Sequence, residues 1–194
     1  YERGDLDFSG ITSINLDEYR GLSGDNDQSY RYFMDTKLFN HINVPKENTF
    51  VASGVGDEAE CIKEFRSILN RTHVDIQLLG IGEDGHIAFN EPGQVLHNNA
   101  HIESLTESTI AANARFFASE EEVPKKAISM GMGDIMRASK IILIATGPKK
   151  ADAIRGLIMN EDVDVSNPST MLKMHPDVTV IIDRPLADLV GYTD

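Results

Sequence analysis

Apolar residues recur along the chain with two different periods. Val74, Ile76, Leu78, Leu79 and Ile81 form a run too short for a helix, and Ile141 to Ala145 forms a second. Both read as strands buried on both faces of a parallel sheet. Val178 to Ile182, Ala127 to Met132 and Ile11 to Asp17 read as further strands, the last ending in a carboxylate, with a short strand over Thr49 to Ala52. Helical spacing fills the gaps between them. Ser29 to Phe39 puts Tyr30, Phe33, Met34 and Leu38 on one stripe, expected to face the core. Asp57 to Leu69 turns Ala59, Ile62, Phe65, Ile68 and Leu69 inward, and Thr109 to Phe117 carries Arg115 near its end. A brief helix to Ala138, one from Lys149 with Ala151, Ile154, Leu157 and Ile158 on one face, and a short one over Ser169 to Met174 complete the set. Alternation of strand and helix predicts a parallel α/β sandwich.

The chemistry concentrates where the first of those strands ends. At Gly80-Ile81-Gly82 the apolar run gives way to turn-formers, joined by Asp84 and Gly85. Glycines there permit positive φ and close approach of a ligand. Asp84, His86 and Glu91 follow, three side chains able to handle protons. In open α/β sheets the ligand lies beyond the carboxyl ends of the strands, so acid–base work is the leading reading. A divalent-metal site is the rival, since Asp, His and Glu all ligate such ions. No second His at helical spacing and no Cys cluster accompanies them, which leaves the metal behind. Lys150 follows the strand–Thr146-Gly147-Pro148 break, at a helix start suited to anionic groups. Gly54-Val55-Gly56 lacks the third glycine of a dinucleotide fingerprint.

Composition changes the picture in three ways. At 194 residues the chain is long enough to bury a core without staples. A net charge of -13 argues against nucleic acid or an anionic membrane surface as a partner, and requires any phosphate to be held by local cations. The single cysteine, Cys61, excludes an internal disulfide, suits a reducing cytoplasm and reads as a packed, inert thiol. No apolar run has the length of a membrane span.

The run Gly80-Ile81-Gly82-Glu83-Asp84-Gly85-His86-Ile87-Ala88-Phe89-Asn90-Glu91-Pro92 resembles the signature of the glucosamine-6-phosphate deaminase (isomerase) family. Asn15-Leu16-Asp17-Glu18-Tyr19-Arg20-Gly21-Leu22 resembles that family's other catalytic motif. The likeness continues through Gln28-Ser29-Tyr30, Ala114-Arg115-Phe116-Phe117, Val123-Pro124-Lys125 and Gly147-Pro148-Lys149-Lys150-Ala151. It implies a single-domain, three-layer α/β sandwich with a mostly parallel, Rossmann-like sheet over residues 1–194. It also implies a cytoplasmic hydrolase of amino sugar metabolism that isomerises and deaminates glucosamine 6-phosphate to fructose 6-phosphate and ammonia. His86 would open the sugar ring, Asp84 and Glu91 would orient its imidazole, and Asp17 would move a proton from C2 to C1. Arg115 and Lys150 would hold the phosphate, with Gly80 and Gly82 lining the substrate. The route needs no metal and no organic cofactor. Galactosamine-6-phosphate isomerase, 6-phosphogluconolactonase and a non-catalytic sugar-phosphate sensor are the alternatives.

Two departures from the family pattern carry expectations of their own. Members have an N-terminal strand, a helix and a Gly-Ser-Thr-type phosphate loop before the Asp-Glu-Tyr motif, whereas Tyr1 falls in the helix after that loop. The resemblance therefore implies a fragment, or a protein that has lost part of its phosphate site. Allosterically activated members have basic residues where His101 and Glu103 stand, so activation by N-acetylglucosamine 6-phosphate is not expected. The short end after the last strand resembles monomeric members; a monomer is expected ahead of a homo-oligomer.

Overall fold

A computed structural model describes residues 1–192. In chain order the elements are β1 (Ser13–Ile14), β2 (Asp17–Tyr19), α1 (Tyr30–Lys37), β3 (Thr49–Phe50), α2 (Glu58–Arg71), β4 (Ile76–Leu79), β5 (His101–Ser104), α3 (Glu107–Asn113), β6 (Lys126–Ser129), α4 (Met132–Ile135), β7 (Lys140–Ala145), α5 (Ala151–Ile158), β8 (Val178–Ile182) and α6 (Arg184–Val190). The fold is α/β, and parallel pairing predominates: β1 with β3, β4 with β7, and β7 with β8, against the antiparallel pair β2–β6. Two compact units divide the chain, residues 1–68 with 102–129 and residues 69–101 with 130 onward.

In the first unit the stretch expected as one strand ending at Asp17 is two. Ser13 and Ile14 pair in parallel with Thr49 and Phe50, whereas Asp17 to Tyr19 run antiparallel to β6, Asp17 opposite Ser129. Asn15 and Leu16 carry the chain from one sheet to the other, so Asp17 opens a strand instead of closing one. The expected core stripe of α1 is also corrected: Phe33 is 53% exposed and Leu38 41%, and no α1 residue is fully buried. This helix is held by polar groups at its start. Ser29 Oγ accepts from the Tyr32 N–H at 3.0 Å as an N-cap. The buried Glu18 carboxylate accepts from the N–H groups of Tyr30, Arg31 and Tyr19, each at 2.9 Å. On α2 the buried face is Cys61, Phe65, Ile68 and Leu69; Ala59, expected inward, is exposed and Cys61 takes its place. Arg20, next after β2, donates to the carbonyls of Ser53 and Gly56 and fastens that loop.

In the second unit β7 is the centre of the parallel sheet β4–β7–β8, with Leu79 beside Leu143 and Ile141 beside Val178 in register. Leu79, Ile141, Leu143 and Ala145 are buried on one face, and Ile154, Leu172 and Leu186 are buried in the same unit. The opposite face departs from the expectation of two-sided burial: Ile76 and Leu78 are 59% and 58% exposed, and Ile144 and Ile181 are exposed with them. Ile142, on the same face, is half-buried. The apolar character of that face made the strand legible, but what lies over a strand is decided by elements remote in sequence.

Candidate active site

The glycine-rich loop leaves β4 and folds back on itself. Gly82 N–H donates to His86 O at 2.9 Å and Gly85 N–H to Gly82 O at 3.2 Å. Gly85 takes φ +89°, a left-handed conformation that favours glycine. Ala88 adopts φ 55°, the only described non-glycine residue there. Asn90 closes the loop, donating from Nδ2 to Ile87 O at 2.9 Å and to Met130 O at 2.8 Å. A side chain at Gly82 would collide with the His86 imidazole and the Asp84 carboxylate, so glycine there clears space for the His86 ring. Gly80 has open space around its Cα and meets no such constraint.

That fold brings Asp84, His86 and Glu91 together. His86 Nδ1 stands 2.8 Å from Asp84 Oδ1 and 3.5 Å from Glu91 Oε2. Both the hydrogen bond and the charge attraction between Asp84 and His86 act in the closer pair, the bond being the larger of the two. Asp84 Oδ1 also accepts the His86 backbone N–H at 3.1 Å, which fixes carboxylate and ring in one turn. Burial works to lower the His86 pKa, but the Asp84 contact and the charges of Glu91 and Asp84 outweigh it and raise the pKa above 6.5, with Lys150 opposing. Burial works to raise the Asp84 pKa, and the bond and charge of His86 prevail to lower it. The two directions agree: the site favours an imidazolium against a carboxylate. The three donors lie within 4.8 Å of one another, a spacing a divalent cation would also accept. Lys150 ends a 3-10 turn over Pro148–Lys150, and its charge is felt at His86. Its neighbour Lys149 pairs instead with Glu83 at 3.3 Å on the surface.

Asp17 and Arg115 belong to the other unit. Asp17 is half-buried at the first position of β2. Beside it the rings of Tyr19 and Tyr30 stack at 5.1 Å, and Phe117 meets Tyr19 edge-on at 5.8 Å. Burial first, and the Asp17 charge second, push the Tyr30 hydroxyl well above its usual value of 10.0. Burial dominates for Tyr19 as well, with Asp17 adding to the rise. Arg115 lies in an exposed 3-10 turn after α3, its guanidinium 4.7 Å over the Phe116 ring. The Tyr pair and the buried Glu18 went unassigned by sequence reasoning, although both tyrosines lie in the segments that carried the resemblance.

A mostly parallel α/β fold with a glycine loop at a strand's carboxyl end, carrying a His between two carboxylates, is a ligand-handling architecture of the open-sheet class. Comparison with known proteins narrows it. The family model for glucosamine-6-phosphate isomerases/6-phosphogluconolactonase matches residues 2–181, and the chain belongs to that family. A glucosamine-6-phosphate deaminase of Clostridium perfringens is 54% identical over 192 residues, spanning 98% of this chain and 79% of the relative. One from Thermoanaerobacter pseudethanolicus is 50% identical over 196 residues, spanning 100% of this chain and 77% of the relative. Among solved structures, a monomeric glucosamine-6-phosphate deaminase superposes with TM-score 0.93 at 40% identity, covering 97% of this chain and 78% of its own. A Thermotoga maritima 6-phosphogluconolactonase, at TM-score 0.70 and 15% identity over 93% of this chain and 75% of its own, shares the fold. No helix among the described residues is long and apolar enough to cross a membrane.

Proposed function

We propose that residues 1–194 act as one domain with glucosamine-6-phosphate deaminase activity, converting the amino sugar phosphate and water to fructose 6-phosphate and ammonia. The observation that carries this is the Asp84–His86–Glu91 cluster at the end of β4, in a chain about half identical to proteins of that name. Protonated His86 delivers a proton to the ring oxygen and opens the sugar, a task suited to an imidazole whose pKa is raised above 6.5. Asp84 and Glu91 hold the ring with Nδ1 toward them, leaving Nε2 for the substrate. Asp17 then takes the C2 proton and returns it to C1, passing through an enolamine. Water adds to the resulting C2 imine and ammonia departs, leaving the 2-ketose. Arg115 and Lys150 neutralise the phosphate that the acidic chain as a whole repels. This route requires neither a metal nor an organic cofactor.

Ammonia release from glucosamine 6-phosphate, compared between the native chain and Asp17→Asn, is the test. Loss of a positioned acid–base group costs about 10²–10⁴-fold, and a fall of that order in kcat is expected. Full turnover by Asp17→Asn would remove Asp17 from the chemistry. No ammonia from the native chain, with hydrolysis of 6-phosphogluconolactone instead, would replace the deaminase by the lactonase reading.

A further inference from the structure

The segment 164–170 holds the acid–base loop from behind. It is itself folded tightly: Asp164 N–H donates to Thr170 Oγ1 at 2.7 Å, and Asn167 N–H to Asp164 O at 2.9 Å. From this platform the Asn167 side-chain amide is tied at both ends. Its Nδ2 donates to Ala153 O in α5 at 2.9 Å, and its Oδ1 accepts from Ser169 Oγ–H at 2.6 Å. Ser169 N–H donates in turn to Gly85 O at 2.8 Å, one residue before His86. Val165 O accepts from Gly93 N–H at 3.3 Å, so the same segment also holds the far end of the loop.

The amide occupies a slot between two glycines. A Cβ at Gly85 would run into Asn167 Oδ1, and a Cβ at Gly156, on α5, would stand 2.5 Å from Asn167 Nδ2. Gly156 lies inside a helix, where glycine is unfavourable relative to alanine, and the wedge is a physical reason for glycine there. Gly85 has its own reason in its positive φ, and the wedge adds a second.

We propose that Asn167 is a positioning residue for catalysis: wedged between Gly85 and Gly156, its amide sets the loop of His86 against the helix that begins beside Lys150. The inference rests on the acid–base reading of that loop. Asn167 reaches the chemistry only through Gly85 and α5. Its loss releases the loop, while α5 keeps its tie to the chain end through Arg155, which donates to Leu189 O at 2.9 Å.

The test uses Asn167→Ala, Gly156→Ala and the double variant. A displacement of the order of 1 Å by a remote mutation can cost up to about 10²-fold in rate. Each single variant is expected to lose about tenfold or more in kcat, with KM for glucosamine 6-phosphate within about twofold. Gly156→Ala is the decisive arm. Its methyl meets Asn167 Nδ2 at 2.5 Å, so a lower Tm is expected on either account despite alanine's helix preference. A purely structural role, however, leaves kcat of the folded enzyme unchanged. In the double variant the deleted amide makes room for the new methyl, so its kcat should be no lower than that of Asn167→Ala. Amide hydrogen exchange at Gly82 and Gly85 provides a second reading without substrate. It should quicken about tenfold in both single variants while β7 stays protected. Unchanged exchange together with unchanged kcat overturns the wedge and leaves the deaminase reading standing. A full-length protein that releases no ammonia overturns the deaminase reading, and the exchange data still decide the wedge.

Discussion

Asp84→Asn should lower the pH at which His86 gives up its proton. The imidazole is mostly buried, which by itself would depress its pKa below 6.5; the Asp84 contact at 2.8 Å and the Glu91 charge at 3.5 Å reverse that. A hydrogen bond to a charged partner contributes roughly 1.5–3 kcal/mol net, against about 1 kcal/mol for a neutral one. Replacing the carboxylate by an amide retains an acceptor oxygen and removes the charge, a loss of about 0.5–2 kcal/mol. The Asp84 side chain is 34% exposed, and solvent screening places the loss at the lower end of that range. At about 1.36 kcal/mol per pKa unit, that loss lowers the midpoint by a fraction of a unit. Glu91 stays in place, so the variant retains part of the rise.

The sign for stability follows from the same shift. A folded-state pKa raised above 6.5 stabilises the protein fully below 6.5, and that contribution fades as pH climbs through the folded value. In Asp84→Asn the contribution is smaller and is exhausted at a lower pH. Titration of the His86 Cε1–H signal by NMR, assigned by its absence in His86→Gln, measures the midpoint directly. Urea melts across the same pH range read the linked stability. A midpoint that stays put or rises would refute the electrostatic account of the site.

Glu18→Ala leaves three backbone N–H groups without their acceptor, at roughly 1–3 kcal/mol for each that stays buried. Two of the three are only partly buried, so a total of about 3–4 kcal/mol is expected, equivalent to a Tm lower by about 10 °C for a chain of this size. A Tm within about 2 °C of the native value, roughly 1 kcal/mol or less, would show that water replaces the carboxylate. Lys150→Ala and Arg115→Ala should each raise KM for the sugar phosphate about tenfold or more, as removal of a charged phosphate partner does, whereas Lys149→Ala should leave it nearly unchanged. Equal effects at Lys149 and Lys150 would point to a diffuse field in place of a phosphate contact. Treatment with a strong chelator should leave turnover intact, and loss of activity restored by a divalent ion would promote the metal reading of Asp84, His86 and Glu91.

The parts of the fold readable in advance are those written in consecutive residues. β8 begins and ends where its apolar run does, and Ile141 to Ala145 mark all of β7 but its first residue. β5, His-Ile-Glu-Ser, has no such run and gave no signal. The loop from Gly80 to Pro92 was legible because turn-formers and proton-handling side chains lie side by side in it, and a bond from the His86 N–H to the Asp84 carboxylate ties the two within the loop.

Sequence by itself thus determined the α/β class and the family to which the chain belongs. Tertiary structure decided the rest. It split the first expected strand between a parallel and an antiparallel partner, left Phe33 and Leu38 in solvent, and opened one face of β4. It also drove Asn167 between two glycines 82 and 11 positions away along the chain. Periodicity shows that a face is apolar or that a residue can hydrogen-bond. Which surface covers that face, and which carbonyl meets that amide, depends on residues distant along the chain that only the folded backbone brings near.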